Sequence, residues 1–140
     1  MSRIFWDTNL FIYLIEGSGE RSDAVLQLRE RMLARNDVLF TSTLTLGEVL
    51  VKPIEENEPE IAAQYEKALT AGATILTFDV KAARAFAAIR KDRSIRPPDA
   101  IQLACAAEAK VDLFITNDDR LRDKIVPGIQ FVTSLHRAFL

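Results

Sequence analysis

Short apolar runs alternate with longer amphipathic segments along this chain, and that alternation restricts the fold more than any other feature. Five apolar runs predict buried strands: Ile4–Trp6, Val38–Thr41, Thr74–Thr77, Leu113–Thr116 and Ile129–Val132. The segments between them carry apolar residues at helical spacing, as in Val25, Leu28 and Met32. Strands joined through helices require right-handed crossovers. The pattern therefore predicts an α/β fold with a mainly parallel sheet covered by helices on both faces.

Seven segments predict helices: Asn9–Ile15, Ser22–Arg35, Leu44–Lys52, Glu60–Ala71, Lys81–Arg90, Asp99–Ala109 and Arg120–Lys124. The polar stretch 55–60 predicts a solvated turn between two of these helices. With 140 residues and neither a repeat nor a linker, the chain is expected to form a single domain over residues 1–140.

Charge and cysteine content exclude several classes of protein. The 18 basic and 20 acidic residues give a net charge of −2, so a basic nucleic-acid coat is excluded, and any grip on a polyanion must come from a local patch or from metal. The single Cys105 excludes an intrachain disulfide and fits a reducing compartment. Asp7 interrupts the apolar start of the chain, so neither a signal peptide nor a membrane span is expected, and the cytoplasm is the expected location.

Four acidic residues stand beside apolar segments: Asp7, Glu48, Asp99 and Asp118. Three of them fall at loop or helix-start positions on the carboxyl side of the sheet, where open α/β folds bind ligands. Each has an ordinary alternative, because Asp7 and Asp118 would suit N-caps and Asp99 would suit the first turn of a helix. Glu48 lies on a partly apolar helical stripe, where a buried glutamate would need a partner such as a lysine or arginine.

Taken together, the four acids predict a carboxylate cage for Mg²⁺ or Mn²⁺. Converging carboxylates repel one another, and divalent cations that prefer oxygen ligands remove that penalty. Such a site serves phosphodiester hydrolysis, in which one or two cations activate water and stabilise the leaving oxygen. Neutral polar residues would surround the site: Thr8, Asn9, Ser42, Thr43, Thr116 and Asn117.

Other catalytic arrangements fit the sequence poorly. His136 is the single histidine, which excludes a two-histidine nuclease and a histidine-ligated zinc site. The segment Gly17-Ser18-Gly19 lacks the lysine and the helix context of a P-loop. A basic segment precedes Asp99, and its residues Arg90, Lys91, Arg93 and Arg96 are candidates for holding RNA phosphates, although a solvated helix end explains them equally well.

At the four acids the chain resembles the PIN-domain nucleases, and among them the VapC-like toxins of type II toxin–antitoxin systems. The resemblance spans essentially the whole chain and rests on four elements in order: Asp7-Thr8-Asn9, Glu48, Pro98-Asp99-Ala100 and Thr116-Asn117-Asp118. It implies a parallel sheet of about five strands flanked by helices, and a Mg²⁺- or Mn²⁺-dependent endoribonuclease. It also implies a homodimer that a cognate antitoxin inhibits.

The resemblance assigns roles to individual residues. Asp7, Glu48, Asp99 and Asp118 become the catalytic, metal-binding acids, and Asn9 and Thr116 become supporting polar groups. Asp119 directly follows Asp118, and the motif spacing favours Asp118 as the fourth acid. Two alternatives to a toxin stay open, namely a PIN nuclease of RNA processing or decay and a PIN-like module that binds RNA or protein without cutting.

Overall fold

The computed structural model describes residues 1–138, in which a pair of α-helices follows each of the first three strands and turns join the last two of the five strands. The strands are β1 (Arg3–Trp6), β2 (Val38–Ser42), β3 (Thr74–Leu76), β4 (Leu113–Thr116) and β5 (Phe131–Ser134). The helices are α1 (Thr8–Glu16), α2 (Glu20–Arg35), α3 (Thr43–Glu55), α4 (Pro59–Gly72), α5 (Val80–Ile89) and α6 (Pro97–Glu108), and a short 3-10 helix covers Leu135–Arg137. No helix within these described residues is long and apolar enough to cross a membrane.

The five strands form one sheet in the order β3-β2-β1-β4-β5, and every pairing is parallel. Central β1 sets the register, since Phe5 pairs with Phe40 on one side and with Phe114 on the other. The rings of Phe5 and Phe114 stack with their centroids 5.0 Å apart. The predicted α/β class with a parallel sheet is confirmed.

Alternate strand residues point to opposite faces of the sheet and build two separate cores. Helices α5 and α6 pack on the face that carries Phe5, Phe40, Phe114 and Val132. Helices α1 to α4 cover the other face, which carries Ile4, Trp6, Leu39 and Ile115. The expectation of helices on both faces is therefore confirmed.

Most of the buried side chains of helix α6 are small. Pro97 and Pro98 occupy its first turn, where a missing backbone N–H costs nothing. Four alanines and Cys105 are among its seven buried residues, so the helix backbone can approach the sheet closely. Asp99 lies in the first turn and Gln102 lies one turn further on, which places both at the carboxyl edge of the sheet.

Three predicted elements differ clearly from the structure. The predicted helix Arg120–Lys124 is wrong: the segment consists of turns, with Leu121 N bonded to Asp118 O and Asp123 at a positive φ of 66°. Five residues are too few to offset the cost of helix nucleation, and the Asp118 carboxylate instead accepts from Arg120 N.

The last strand is also displaced from its predicted position at Ile129–Val132. Ladder pairing with β4 begins at Phe131, because Gly128 takes a φ of 96° and Ile129 N closes a turn onto Val126 O. Helix α3 runs three residues beyond its predicted end at Lys52, with Pro53 in its last turn. The solvated turn expected over 55–60 is confirmed between α3 and α4.

Candidate active site

The four predicted acids line one open cleft of about 580 Å³ at the carboxyl edge of the sheet. Asp7 directly follows β1, and Asp118 lies two residues after β4. Asp99 is in the first turn of α6, and Glu48 projects from α3. The same cleft is lined by further residues: Thr8, Asn9, Ile12, Arg96, Pro97, Pro98 and Gln102. The parallel topology thus brings together carboxylates that are far apart in the sequence: Asp7 and Asp118 line the same cleft although 111 positions separate them.

Asp7 is the most buried of these acids, with 7% of its surface exposed. Its Oδ1 accepts from Thr8 N at 2.9 Å as the N-cap of α1, and its Oδ2 accepts from Thr116 Oγ1 at 2.8 Å. Burial raises the pKa of Asp7 to about 6; the two hydrogen bonds oppose that rise, and the charges of Asp99 and Glu48 add to it. Asp7 can therefore be both the N-cap of α1 and a candidate catalytic acid.

The raised pKa of Asp7 predicts a pH dependence of stability in the metal-free protein. Because its pKa is 3.8 in the unfolded reference and about 6 in the folded protein, the folded state binds this proton more tightly. The stabilisation is complete below about pH 4 and is lost as the pH rises through about 6, a change of about 3 kcal/mol. Asp7→Asn should abolish this contribution to the pH dependence of stability.

Urea unfolding of both proteins in EDTA at pH 4.5 and 7.5 measures this effect. The free energy of unfolding of wild type, relative to Asp7→Asn, should fall between the two pH values. Equal pH dependence in the two proteins would contradict the burial of an ionisable Asp7.

Glu48 differs from its expected environment. The sequence indicated a partly apolar surrounding, for which a salt bridge to a lysine or arginine was the alternative to a metal ion, but the side chain is exposed and its Oε1 accepts from Thr8 Oγ1 at 2.7 Å. Position 48 faces the cleft mouth, while the neighbouring Val49 is buried in the core. The polar partner of Glu48 is therefore a hydroxyl group and not a lysine or arginine.

Arginine side chains neutralise the other two acids. Arg96 Nε lies 3.4 Å from Asp99 Oδ2, and its Nη2 lies 3.7 Å from Asp118 Oδ2. Arg120 binds Asp118 through two parallel contacts, at 2.9 Å to Oδ1 and 2.7 Å to Oδ2. Burial raises the pKa of Asp99 in spite of Arg96, whereas the hydrogen bond from Arg120 lowers the pKa of Asp118.

Thr116 links two of the acids. Its buried hydroxyl donates to Asp7 Oδ2 at 2.8 Å and accepts from Asp118 N at 3.0 Å. Asn9 supports the same loop, because its Oδ1 accepts from Asn117 N at 3.3 Å. Asp118 faces the cleft with a side chain 16% exposed, whereas the side chain of Asp119 is 82% exposed and pairs with Arg122 outside it.

Gln102 belongs to the site although sequence reasoning did not single it out. It lines the cleft, is 2% exposed, and donates through Nε2 to Thr45 Oγ1 at 2.7 Å and to Thr8 Oγ1 at 3.1 Å. The available signal was positional: Gln102 follows Asp99 by three residues on one helix face, and it is the one strongly polar side chain between Ala100 and Ala107. A buried amide of this kind needs partners.

The structure separates the four basic candidates. Arg96 alone among them lines the cleft, and Arg93 is exposed in the preceding turn. Arg90 Nη1 donates to Ile95 O at 2.6 Å and so fixes the loop before α6. Lys91 lines a different cavity between the ends of α5 and α6.

The donor set in the cleft suits a hard divalent cation. All four acids offer carboxylate oxygens, the ligands that Mg²⁺ and Mn²⁺ prefer. Within residues 1–138, however, no three acidic, histidine or cysteine side chains are already grouped to hold a metal ion. Asp99 and Asp118 instead point to arginines. The four carboxylates and the cleft that they share therefore fit a cation. The side-chain orientations of Asp99 and Asp118, however, are those of acids paired with arginine.

The sequence profile of the PIN domain matches residues 4–125. The chain therefore belongs to the PIN domain family, which is a family of nucleases that generally use divalent metal ions. Among curated proteins, no sequence matches the chain.

Solved structures share this fold over nearly the whole chain. VapBC2 from Rickettsia felis bound to a DNA fragment from their promoter matches with a TM-score of 0.74 at 17% identity, over 94% of this chain and 98% of that chain. DNA-bound VapBC from Salmonella typhimurium matches with a TM-score of 0.73 at 22% identity, over 96% of this chain and 99% of that chain. A toxin–antitoxin complex from Klebsiella pneumoniae matches with a TM-score of 0.67 at 23% identity, over 90% of this chain and 94% of that chain. At these identities the likeness establishes the shared fold.

Proposed function

We propose that this protein is a Mg²⁺- or Mn²⁺-dependent endoribonuclease. The observation that carries the proposal is the convergence of Asp7, Glu48, Asp99 and Asp118 on one open cleft at the carboxyl edge of a parallel sheet. Membership of a nuclease family supports the reaction class. The openness of the cleft suits a polymeric substrate, which must enter and leave without the protein unfolding.

The four acids are the proposed ligands; Asp99 would exchange its contact with Arg96, and Asp118 its contacts with Arg96 and Arg120, for contacts with the cation. When bound, the metal lowers the pKa of water and offsets negative charge at the scissile phosphate. Thr116 and Thr8 orient Asp7 and Glu48 through the hydrogen bonds described above. Arg96, once released, becomes available to a substrate phosphate beside the acids.

Cleavage of a mixed RNA pool by purified protein tests the proposal. We expect fragments with Mg²⁺ or Mn²⁺ and intact RNA with EDTA. Metal-independent cleavage, or intact RNA in every lane from folded protein free of any partner, would contradict it. The second outcome would favour the module that binds without cutting.

We further infer that the protein is the toxin of a toxin–antitoxin pair, with a small antitoxin protein as its partner. The shared fold with VapBC complexes and with a toxin–antitoxin complex supports this inference. Induced expression in a bacterial host should arrest growth, and co-expression of a neighbouring small gene should relieve the arrest. Unchanged growth at verified expression would favour a nuclease of RNA processing or decay.

A homodimer is part of the same proposal. Large apolar side chains stay exposed on α3 and α5, among them Ile54 and Val80, and such groups are commonly buried when two copies associate. Light scattering should therefore give twice the chain mass of 15.7 kDa. A monomeric mass at micromolar concentration would contradict the dimer.

The basic segment before α6 yields a prediction about RNA affinity. Replacing Arg93 and Arg96 together by Ala should weaken binding of single-stranded RNA, since both side chains are exposed, Arg96 lines the cleft and Arg93 precedes it by three residues. Each lost phosphate contact reduces the magnitude of the slope of log K against log salt by about 0.7, so the slope of the double variant should be shallower by up to about 1.4. Filter binding at several salt concentrations measures the slope.

Lys67→Ala is the matched control, because Lys67 is exposed on α4 and does not line the cleft. It should leave the slope unchanged. If the double variant also leaves it unchanged, the segment is a solvated helix end without a role in RNA binding.

A further inference from the structure

A chain of hydrogen bonds leads from the buried interior to the exposed Glu48. It begins at Ser42, passes through Gln102 and Thr45, and reaches Thr8, whose hydroxyl contacts the Glu48 carboxylate at 2.7 Å. Ser42 and Thr45 are fully buried, and Gln102 is 2% exposed. The members come from β2, α3, α6 and the start of α1, so the hydrogen bonds link the helices that carry Glu48 and Asp99 to the helix that Asp7 caps.

The direction of every hydrogen bond in this chain follows from the chemistry of its two ends. Gln102 Oε1 can only accept, so Ser42 Oγ donates to it, which turns Nε2 towards Thr45, Thr8 and Asp7. The opposite amide orientation would place Oε1 at 3.4 Å from the Asp7 carboxylate, where two acceptors repel.

At the other end, the Glu48 carboxylate can only accept, so the single hydroxyl hydrogen of Thr8 is committed to it. Thr8 Oγ1 is then the acceptor in its 3.0 Å contact with Thr45, and Thr45 Oγ1 in turn accepts from Gln102 Nε2 at 2.7 Å. All donors therefore point from Gln102 towards Glu48.

We propose that Gln102 is a positioning residue for the Glu48 carboxylate: its amide donors set the hydroxyl directions of Thr45 and Thr8, so that the hydroxyl hydrogen of Thr8 is left for Glu48. The inference rests on the proposed function, in which Glu48 is a metal ligand. Glu48 is exposed and has a long side chain, and the structure gives it a hydrogen bond to Thr8 within the described residues. Without Gln102, Thr8 and Thr45 are free to reorient, and Glu48 loses its fixed position.

Mn²⁺ affinity in a double-mutant cycle tests this role. Gln102→Leu and Thr45→Val should each weaken calorimetric Mn²⁺ binding by about 10-fold, the lower end of the 10- to 100-fold range for residues that orient metal ligands. The double variant should be no weaker than the weaker single variant, because both changes break the same chain. Thr41→Val is the matched control: Thr41 is equally buried and donates to Trp6 O at 3.0 Å, outside this chain.

A second measurement needs no metal. The ¹³Cδ resonance of Glu48 in the metal-free protein should shift in Gln102→Leu and in Thr45→Val but not in Thr41→Val. Should Gln102→Leu fail to fold, Gln102→Met fills similar space with an unbranched side chain and carries the same expectations.

Three outcomes would overturn the inference: wild-type Mn²⁺ affinity in Gln102→Leu, additive losses in the double variant, or the same loss in Thr41→Val. In each of these the wild-type protein still binds Mn²⁺ and cleaves RNA, so the proposed function stands. A wild-type protein that binds no Mn²⁺ refutes the metal site of the proposed function, and the Glu48 resonance then decides alone: a resonance unchanged in Gln102→Leu would overturn the positioning role as well.

Discussion

Asp99→Asn should abolish RNA cleavage, with a loss of at least about 100-fold in the presence of Mn²⁺. Residues that only orient metal ligands cost 10- to 100-fold when replaced, and a direct ligand should cost at least the upper value. The substitution removes one negative charge at nearly constant volume. Within residues 1–138 the Asp99 carboxylate makes a single, long side-chain contact of 3.4 Å, to an exposed Arg96, so its loss should change stability little. Initial rates on a defined RNA substrate, with circular dichroism to verify the fold, measure the effect.

Asp79→Asn is the control for this substitution. Asp79 caps α5 by accepting from Ala82 N at 2.9 Å and lies outside the cleft lining, and Asn is an equally good N-cap. Its cleavage rate should equal that of wild type. Wild-type turnover in Asp99→Asn would remove Asp99 from the metal site.

Gly128→Ala should destabilise the protein by about 3 kcal/mol or more. Gly128 has a φ of 96°, which disfavours any side chain, and an added Cβ would lie 2.6 Å from Ala107 O in the backbone at the end of α6. Neither the helix end nor the loop can move away without disturbing the start of β5. Strain and overpacking each cost about 1–3 kcal/mol, and urea unfolding measures their sum.

Gly47→Ala isolates the effect of position. Gly47 is inside α3, and an added Cβ there meets nothing within 4 Å. That variant should be stabilised by about 0.5–1 kcal/mol, because alanine loses less conformational freedom in a helix. A Gly128→Ala protein as stable as wild type would show that the loop before β5 is not packed against α6 as described.

The placement of three of the acids could be predicted because it depends on local signals. Asp7 and Asp118 follow apolar strands, and the carboxyl ends of parallel strands share one edge of the sheet. Asp99 follows two prolines that start a helix. Glu48 was less predictable, since a helical stripe gives the direction of a side chain but not its burial, and the side chain is exposed.

The rest of the site depends on contacts between distant parts of the chain. Gln102 meets Thr8 and Thr45, which precede it by 94 and 57 positions. Arg96 reaches Asp118 across the cleft. The segment after Asp118 carries helix-compatible residues, yet the Asp118 carboxylate accepts a hydrogen bond from the backbone N–H of Arg120 and a turn forms. Hydrophobic periodicity does not reveal such local hydrogen bonds, which compete with helix formation.

The most direct test of the metal site is the anomalous scattering of crystals grown with Mn²⁺. We predict at least one peak in the cleft, with carboxylate oxygens of Asp7 and Asp99 about 2 Å from it, the coordination distance of a small hard cation. Asp118 should then have turned away from Arg96 and Arg120. An ordered cleft without a peak, with Arg96 still between Asp99 and Asp118 at millimolar Mn²⁺, would contradict the assignment of these acids as metal ligands.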